Sequence, residues 1–126
     1  MGITIVGLGP GDPALLTRQA WELLSRAGEI YLRTRRHPTV AGLPPGLVLH
    51  SFDELYDRAV NFRAVYDAIA DRILALGRRP EGVVYAVPGH PLVGEASVQR
   101  ILDRAAAEGP AVHLVDGLSF VEPVLD

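Results

Sequence analysis

"ITIVGLGPGD", residues 3–12, runs four apolar or β-branched residues into three glycines at alternate positions and then an acid. Residues 3–6 have the continuous apolar character of a strand buried on both faces. The loop behind them limits what can bind there. A dinucleotide fingerprint needs G-x-G-x-x-G, whereas here the third glycine is Gly11 and Asp12 follows it. A carboxylate at the helix entrance repels a pyrophosphate, and the acid expected after the second strand is replaced by "RTRR" (33–36). Arg33 or Arg35 would suit a 2′-phosphate, so an NADP-binding module stays open as an alternative. No Gly-Lys-Ser/Thr follows, which removes the P-loop reading. Taken alone, the loop reads as a tight strand-to-helix turn whose glycines permit positive φ.

The rest of the chain repeats this alternation. Leu16, Ala20, Leu23 and Ala27 recur at helical intervals, with Thr17 as a cap, Asp12-Pro13 as an earlier start and Gly28 as the stop. "EIYLRT" (29–34) and "LVLHSF" (47–52) read as strands, separated by turn material at 41–46. One helix is expected across Leu55, Ala59, Phe62, Tyr66, Ile69, Ile73 and Leu76, which step by four and three throughout. "VVYAV" (83–87) is a buried-type strand, 95–107 a helix broken by Gly109-Pro110, and "AVHLV" (111–115) the last strand. This order predicts an α/β fold: an open, mainly parallel sheet with helices on both faces and right-handed crossovers. Loops 7–12, 88–94 and 116–120 each follow a strand, so they gather at the carboxyl ends where open sheets bind ligands.

Composition narrows the function classes. With 126 residues, 48% hydrophobic and 21% charged, the chain is long enough for one modest domain. A net charge of -3 supplies no general attraction to nucleic acid or anionic membranes. The absence of cysteine excludes disulfides, thiolate metal sites and a cysteine nucleophile, and fits a cytoplasmic protein. Residues 1–9 carry no basic stretch of a signal peptide, and no apolar run approaches the ~20 residues of a spanning helix.

The loops narrow them further. "VPGHPLVG" (87–94) is stiffened by two prolines and two glycines, and it displays backbone groups suited to a neutral or zwitterionic ligand; its plain alternative is a turn. His37, His50, His90 and His113 lack metal-ligand spacing, so no metal is expected. Ser119 lies in G-L-S-F rather than a nucleophile elbow. "RTRRHP" (33–38) is a local basic cluster on an acidic protein. Its plain reading is solvated surface, and its functional reading is contact of Arg33, Arg35 and His37 with carboxylates of an acidic substrate.

Together, "IVGLGPGDPALLT" (5–17), "VYAVPGHPLVGE" (84–95) and "DGLSF" (116–120) resemble the tetrapyrrole (corrin and porphyrin) methylases. "YLRTRRHP" (31–38), "SFDELY" (51–56) and "VPGHP" (87–91) are most similar to the methylase-like domain fused ahead of MazG-type nucleotide pyrophosphohydrolases. The resemblance implies two α/β lobes with S-adenosylmethionine in the cleft between them, of which residues 1–126 form the N-terminal lobe with the second lobe absent. It also implies donor contacts at Gly9 and Pro10 in the first loop, Gly89, His90 and Val93 in the second, and Ser119 and Phe120 in the third. The implied partners are the methyl donor, a tetrapyrrole substrate and a MazG-type domain in the same parent chain. Such a sulfonium ligand needs main-chain hydrogen bonds rather than a phosphate cradle, and Asp12 is compatible with its positive charge. The chain has Gly89-His90-Pro91 where many methylases have Gly-Asp-Pro, which leaves a non-catalytic regulatory module as the alternative. A lobe without its partner would also expose apolar surface and favour a homo-oligomer.

Overall fold

The computed structural model describes residues 1–93 and 95–118. Among them the strands are β1 (Ile3–Gly7), β2 (Glu29–Leu32), β3 (Val48–Ser51), β4 (Val83–Val87) and β5 (Val112–Val115). The α-helices are α1 (Arg18–Arg26), α2 (Asp53–Arg58), α3 (Phe62–Gly77) and α4 (Ala96–Glu108). The strands form one sheet in the order β3-β2-β4-β1-β5, and every adjacent pair is parallel. The α/β class read from the sequence is therefore the observed one. No helix among the described residues is long and apolar enough to cross a membrane.

The unbroken apolar strands follow from burial on both faces. Ile3, Ile5, Val83, Tyr85 and Val87 pack with Val65, Ile69 and Ile73 of α3 and Val98 and Ile101 of α4. The alternate residues Val6 and Ala86, with Ile30, Leu32 and Val115, pack with Ala20 and Leu24 of α1 and with Val40 and Leu43. Each fully buried aliphatic side chain contributes about 1.5–3 kcal/mol, so both faces stabilise the sheet.

The first helical segment has both of the starts legible in the sequence. The Asp12 carboxylate accepts from the Ala14 amide and opens a 3-10 turn, Pro13–Leu15; the Thr17 hydroxyl then caps α1 by accepting from Ala20 N–H. Gly28 does not stop α1 through a left-handed conformation. The turn is made at Ala27, whose backbone is extended, and Gly28 lacks positive φ.

The continuous helix expected over residues 55–76 is two helices. Ala59 turns extended, and Asn61 Oδ1 accepts from Ala64 N–H at 2.9 Å to cap a fresh start at Phe62. The four-and-three spacing survives the break because Leu55 and Ala59 still pack on the core. The buried face of α3 is turned from the one expected: Val65, Ile69, Ala70, Ile73 and Leu74 are buried, while Phe62 is 66% exposed. Asn61→Ala removes the cap and is expected to cost about 1 kcal/mol in urea unfolding. An unchanged midpoint would show that α3 does not depend on this cap.

The strand order creates the site. From β1 the chain crosses through α1, over one face, to β2; from β4 it crosses through α4, over the opposite face, to β5. β1 and β4 are neighbours whose crossovers leave in opposite directions, and a crevice opens beyond their carboxyl ends.

Candidate functional site

At those carboxyl ends the backbone ladder continues past the strands. Leu8 N–H donates to the Val87 carbonyl at 2.8 Å, and Gly9 and Gly89 exchange two backbone hydrogen bonds at 3.2 and 2.8 Å. Both glycines have positive φ (+74° and +66°), which a side-chain-bearing residue rarely adopts. The third loop docks on this pair. A Cβ on Gly7 would stand 2.8 Å from Gly117 N and closer still to the Gly89 carbonyl oxygen. A Cβ on Gly117 would stand 2.7 Å from the Gly7 carbonyl carbon. The first, second and third loops therefore meet backbone to backbone at Gly7, Gly89 and Gly117. The absence of a side chain at Gly7 and Gly117 is thus used for close approach between the loops themselves.

Three side chains tie the loops together. His37 is 7% exposed, and its Nε2 lies 2.9 Å from the Gly9 carbonyl, which can only accept, so Nε2–H is the donor. Thr17 Oγ1 donates to the Asp116 carbonyl at 3.2 Å, joining the start of α1 to the third loop. His90 spans the second and third loops: its Nδ1 accepts from Leu92 N–H at 3.0 Å, which leaves Nε2 to donate to Asp116 Oδ1 at 3.1 Å. Both ring nitrogens of His90 are thus engaged within the protein.

The basic cluster at 33–38 does not stay together. Arg35 Nη2 donates to the Leu49 carbonyl at 2.6 Å, and its backbone N–H donates to Asp53 Oδ2. His37 turns under the first loop, as a prop rather than a surface cation. Arg33 is half-buried beyond the end of β2, where Nη1 donates to Tyr56 Oη at 3.2 Å and Nε lies 3.2 Å from Glu95 Oε1. Glu95 stands at the N-cap of α4 but makes no capping bond; its side chain, 8% exposed, turns to Arg33 instead. Tyr56 and Glu95 were not singled out from the sequence. The only signal for Glu95 was its place at the end of the "VPGHPLVGE" motif.

Burial sets the protonation behaviour of two of these groups, with opposite signs. Desolvation holds the His37 imidazole below the ordinary histidine value, aided by nearby Arg33 and opposed by its bond to Gly9. Unfolded His37 therefore binds a proton that the folded ring refuses, and stability falls as pH drops through the ordinary value near ~6.5. Desolvation pushes the Glu95 carboxyl up to about 7 against the pull of Arg33. Folded Glu95 holds a proton that the unfolded chain releases, so its contribution falls as pH rises from the ordinary carboxylate value toward about 7. Glu95→Gln is expected to steepen the rise of stability between about pH 5 and 7, because His37 then acts unopposed. Urea midpoints across that range check this, and parallel profiles for the variant and the wild type would contradict it.

The remaining expected site residues fall as follows. Pro10 is half-buried on the first loop, while Val93 is 51% exposed on the second. Gly94, Ser119 and Phe120 lie outside the described residues. A concavity of about 400 Å³ at the opposite end of the sheet is lined by Arg26, Glu29, Arg79 and Glu81. Its central guanidinium is already satisfied: Arg79 donates to the Leu76 and Gly82 carbonyls and to Glu29. That end reads as structural. No group of three or more His, Asp or Glu able to hold a metal ion forms among the described residues.

Comparison with known proteins follows the same line. Residues 2–125 match the family model for Tetrapyrrole (Corrin/Porphyrin) Methylases. The chain is 42% identical over 121 residues to the uncharacterized protein YabN of Bacillus subtilis, covering 95% of this chain and 24% of YabN. The native form of uroporphyrin III C-methyl transferase from Thermus thermophilus is 26% identical with a TM-score of 0.64, over 94% of this chain and 49% of that one. The same enzyme complexed with S-adenyl homocysteine is 26% identical with a TM-score of 0.59, over 94% of this chain and 46% of that one. The chain thus spans about half the length of these solved methyltransferases and 24% of YabN.

Proposed function

Because the chain belongs to the tetrapyrrole (corrin/porphyrin) methylase family, we propose that loops 7–12, 88–94 and 116–120 form one wall of a site for S-adenosylmethionine. The observation that carries this reading is the backbone contact of the three loops at Gly7, Gly89 and Gly117, located where the crossovers diverge. The charge fits the ligand. Asp12 is exposed on the first loop and the Asp116 side chain is 79% exposed on the third, so the wall presents carboxylates to a cationic ligand. A similar enzyme complexed with S-adenyl homocysteine supports the same donor class. When bound, the donor supplies an electrophilic methyl group for in-line displacement at its sulfonium.

Within this reading, Gly9 and Gly89 form the floor, with their N–H and C=O groups paired to each other. Pro10, His90 and Val93 are assigned to the donor side and Arg33 to the acceptor; the donor contacts assigned to Ser119 and Phe120 fall outside the described residues. The work of the chain is to position and to exclude water, which needs no protein nucleophile. Calorimetric titration of S-adenosylhomocysteine into the full-length gene product is expected to give saturable binding, while residues 1–126 alone bind weakly or not at all. Absence of heat from the full-length product would overturn the donor site.

A second reading is a regulatory module beside a MazG-type nucleotide pyrophosphohydrolase, with the domain self-associating through its exposed apolar surface. One observation favours it: both His90 nitrogens are engaged within the protein where methylases commonly place a carboxylate. Paired E-x-x-E helices encoded downstream would support the fusion, and methyl transfer to a porphyrinogen by the gene product would count against a purely regulatory role.

A further inference from the structure

Arg35 belongs to the basic cluster, but its side chain leaves the cleft for the outer edge of the sheet. There β3 is an edge strand, paired only with β2 among the described strands. The register fixes which of its backbone groups face outward. Val48 N–H donates to the Gly28 carbonyl and Phe52 N–H to the Leu32 carbonyl, so residues 48, 50 and 52 turn their backbone groups to β2. Leu49 and Ser51 therefore turn theirs away from the sheet. Such an outward row of N–H and C=O groups is a template for another strand. Nothing in "VLHS" (48–51) deters pairing: the segment holds no proline, lysine or acid, and Val48 is 55% exposed. The template is also firm, because His50 stacks on Tyr31 with ring centroids 4.4 Å apart and lies 3.0 Å from Glu29.

We propose that Arg35 guards this edge, and that β3 without it is a docking surface for β3 of a second copy of this chain. The Arg35 backbone is held at the end of β3, where its N–H donates to Asp53 Oδ2 at 2.9 Å. From there the side chain folds back along the open edge, and Nη2 donates to the Leu49 carbonyl at 2.6 Å. The bond is charge-assisted, and the guanidinium covers an acceptor of the outward row. The occupant follows from the register. Two β3 strands related by a two-fold axis at His50 would run antiparallel, with Leu49 opposite Ser51 of the second copy. Both residues face outward, so each such pair would exchange both of its backbone hydrogen bonds. The same symmetry makes the guard effective. Each copy brings its own Arg35 to the seam, and like charges facing each other across paired strands are destabilising.

Sedimentation of the full-length gene product over a range of concentrations tests this. Arg35→Ala is expected to self-associate about tenfold or more tightly than the wild type, because each copy regains an outward acceptor and loses a cation. Arg35→Lys, which keeps a cation near the edge without the fork, should lie between them. Amide hydrogen exchange locates the contact: the Leu49 and Ser51 amides should slow with rising concentration in Arg35→Ala and not in the wild type. Association through another face is common to both proteins and leaves these differences intact. If Arg35→Ala does not fold, Arg35→Met keeps the stem, removes every donor and should behave as expected of the alanine variant. Equal association of variant and wild type, association of the variant with the Leu49 and Ser51 amides unchanged, or wild-type amides that slow with concentration would each overturn the proposal.

Discussion

Gly7→Ala is expected to destabilise the protein by about 3 kcal/mol or more, at or beyond the top of the usual overpacking range. Gly7 does not have positive φ, so alanine suits its backbone, and reduced freedom of the unfolded chain would by itself favour the variant. Sterics decide the sign. The added methyl would stand 2.8 Å from Gly117 N and closer still to the Gly89 carbonyl, and all these neighbours are backbone that cannot rotate away. Gly28→Ala is the control, because Gly28 has no atom within 4 Å of an added Cβ and no positive φ. It is expected to be neutral or to stabilise by up to about 1 kcal/mol. Urea unfolding of the pair measures the difference. A Gly7→Ala midpoint equal to that of Gly28→Ala would mean that the three loops are not in contact, and the reading of the site would fall with it.

Ile69→Ala is expected to cost about 2–5 kcal/mol, and Phe62→Ala well under 1 kcal/mol, although both positions lie on the periodic stripe read from the sequence. Ile69 is 0% exposed between the sheet and α4, so its truncation leaves a cavity. Phe62 is 66% exposed, and its loss removes only aromatic contacts with Tyr56 and Tyr66. Comparable losses at the two sites would show that the buried face of α3 includes Phe62 after all. The difference arises from the break at residues 59–61. Restarting a helix at Asn61 re-sets its rotation, and an unbroken four-and-three count carried across the break mislabels the first turn.

Much of the site was legible for a specific reason. Apolar runs ending in glycine mark strands whose carboxyl ends carry loops, and parallel α/β order brings such loops together. Residues 7–12 and 88–93, with the described part of 116–120, do meet. What escaped the sequence were pairings between distant segments. "RTRRHP" reads as one basic patch, yet the turn after β2 sends its side chains to separate partners: Arg33 to Tyr56 and Glu95, Arg35 to the Leu49 carbonyl, His37 to the Gly9 carbonyl. Charge counted along a chain carries no information about the direction in which each side chain leaves it.

The same division holds for "ITIVGLGPGD". Local chemistry determined the buried strand, the glycine turn, the Asp12 and Thr17 caps and the exclusion of a phosphate cradle, because each depends on neighbours within a few residues. Tertiary structure alone decided that Gly7 packs on Gly89 and Gly117, that His37 supports Gly9, and that Glu95 is buried against Arg33. These contacts join residues up to 110 positions apart (Gly7 to Gly117), and they exist only because the strand order sets β1 between β4 and β5. Burial, which the order of residues does not display, then gives His37 and Glu95 their opposite shifts.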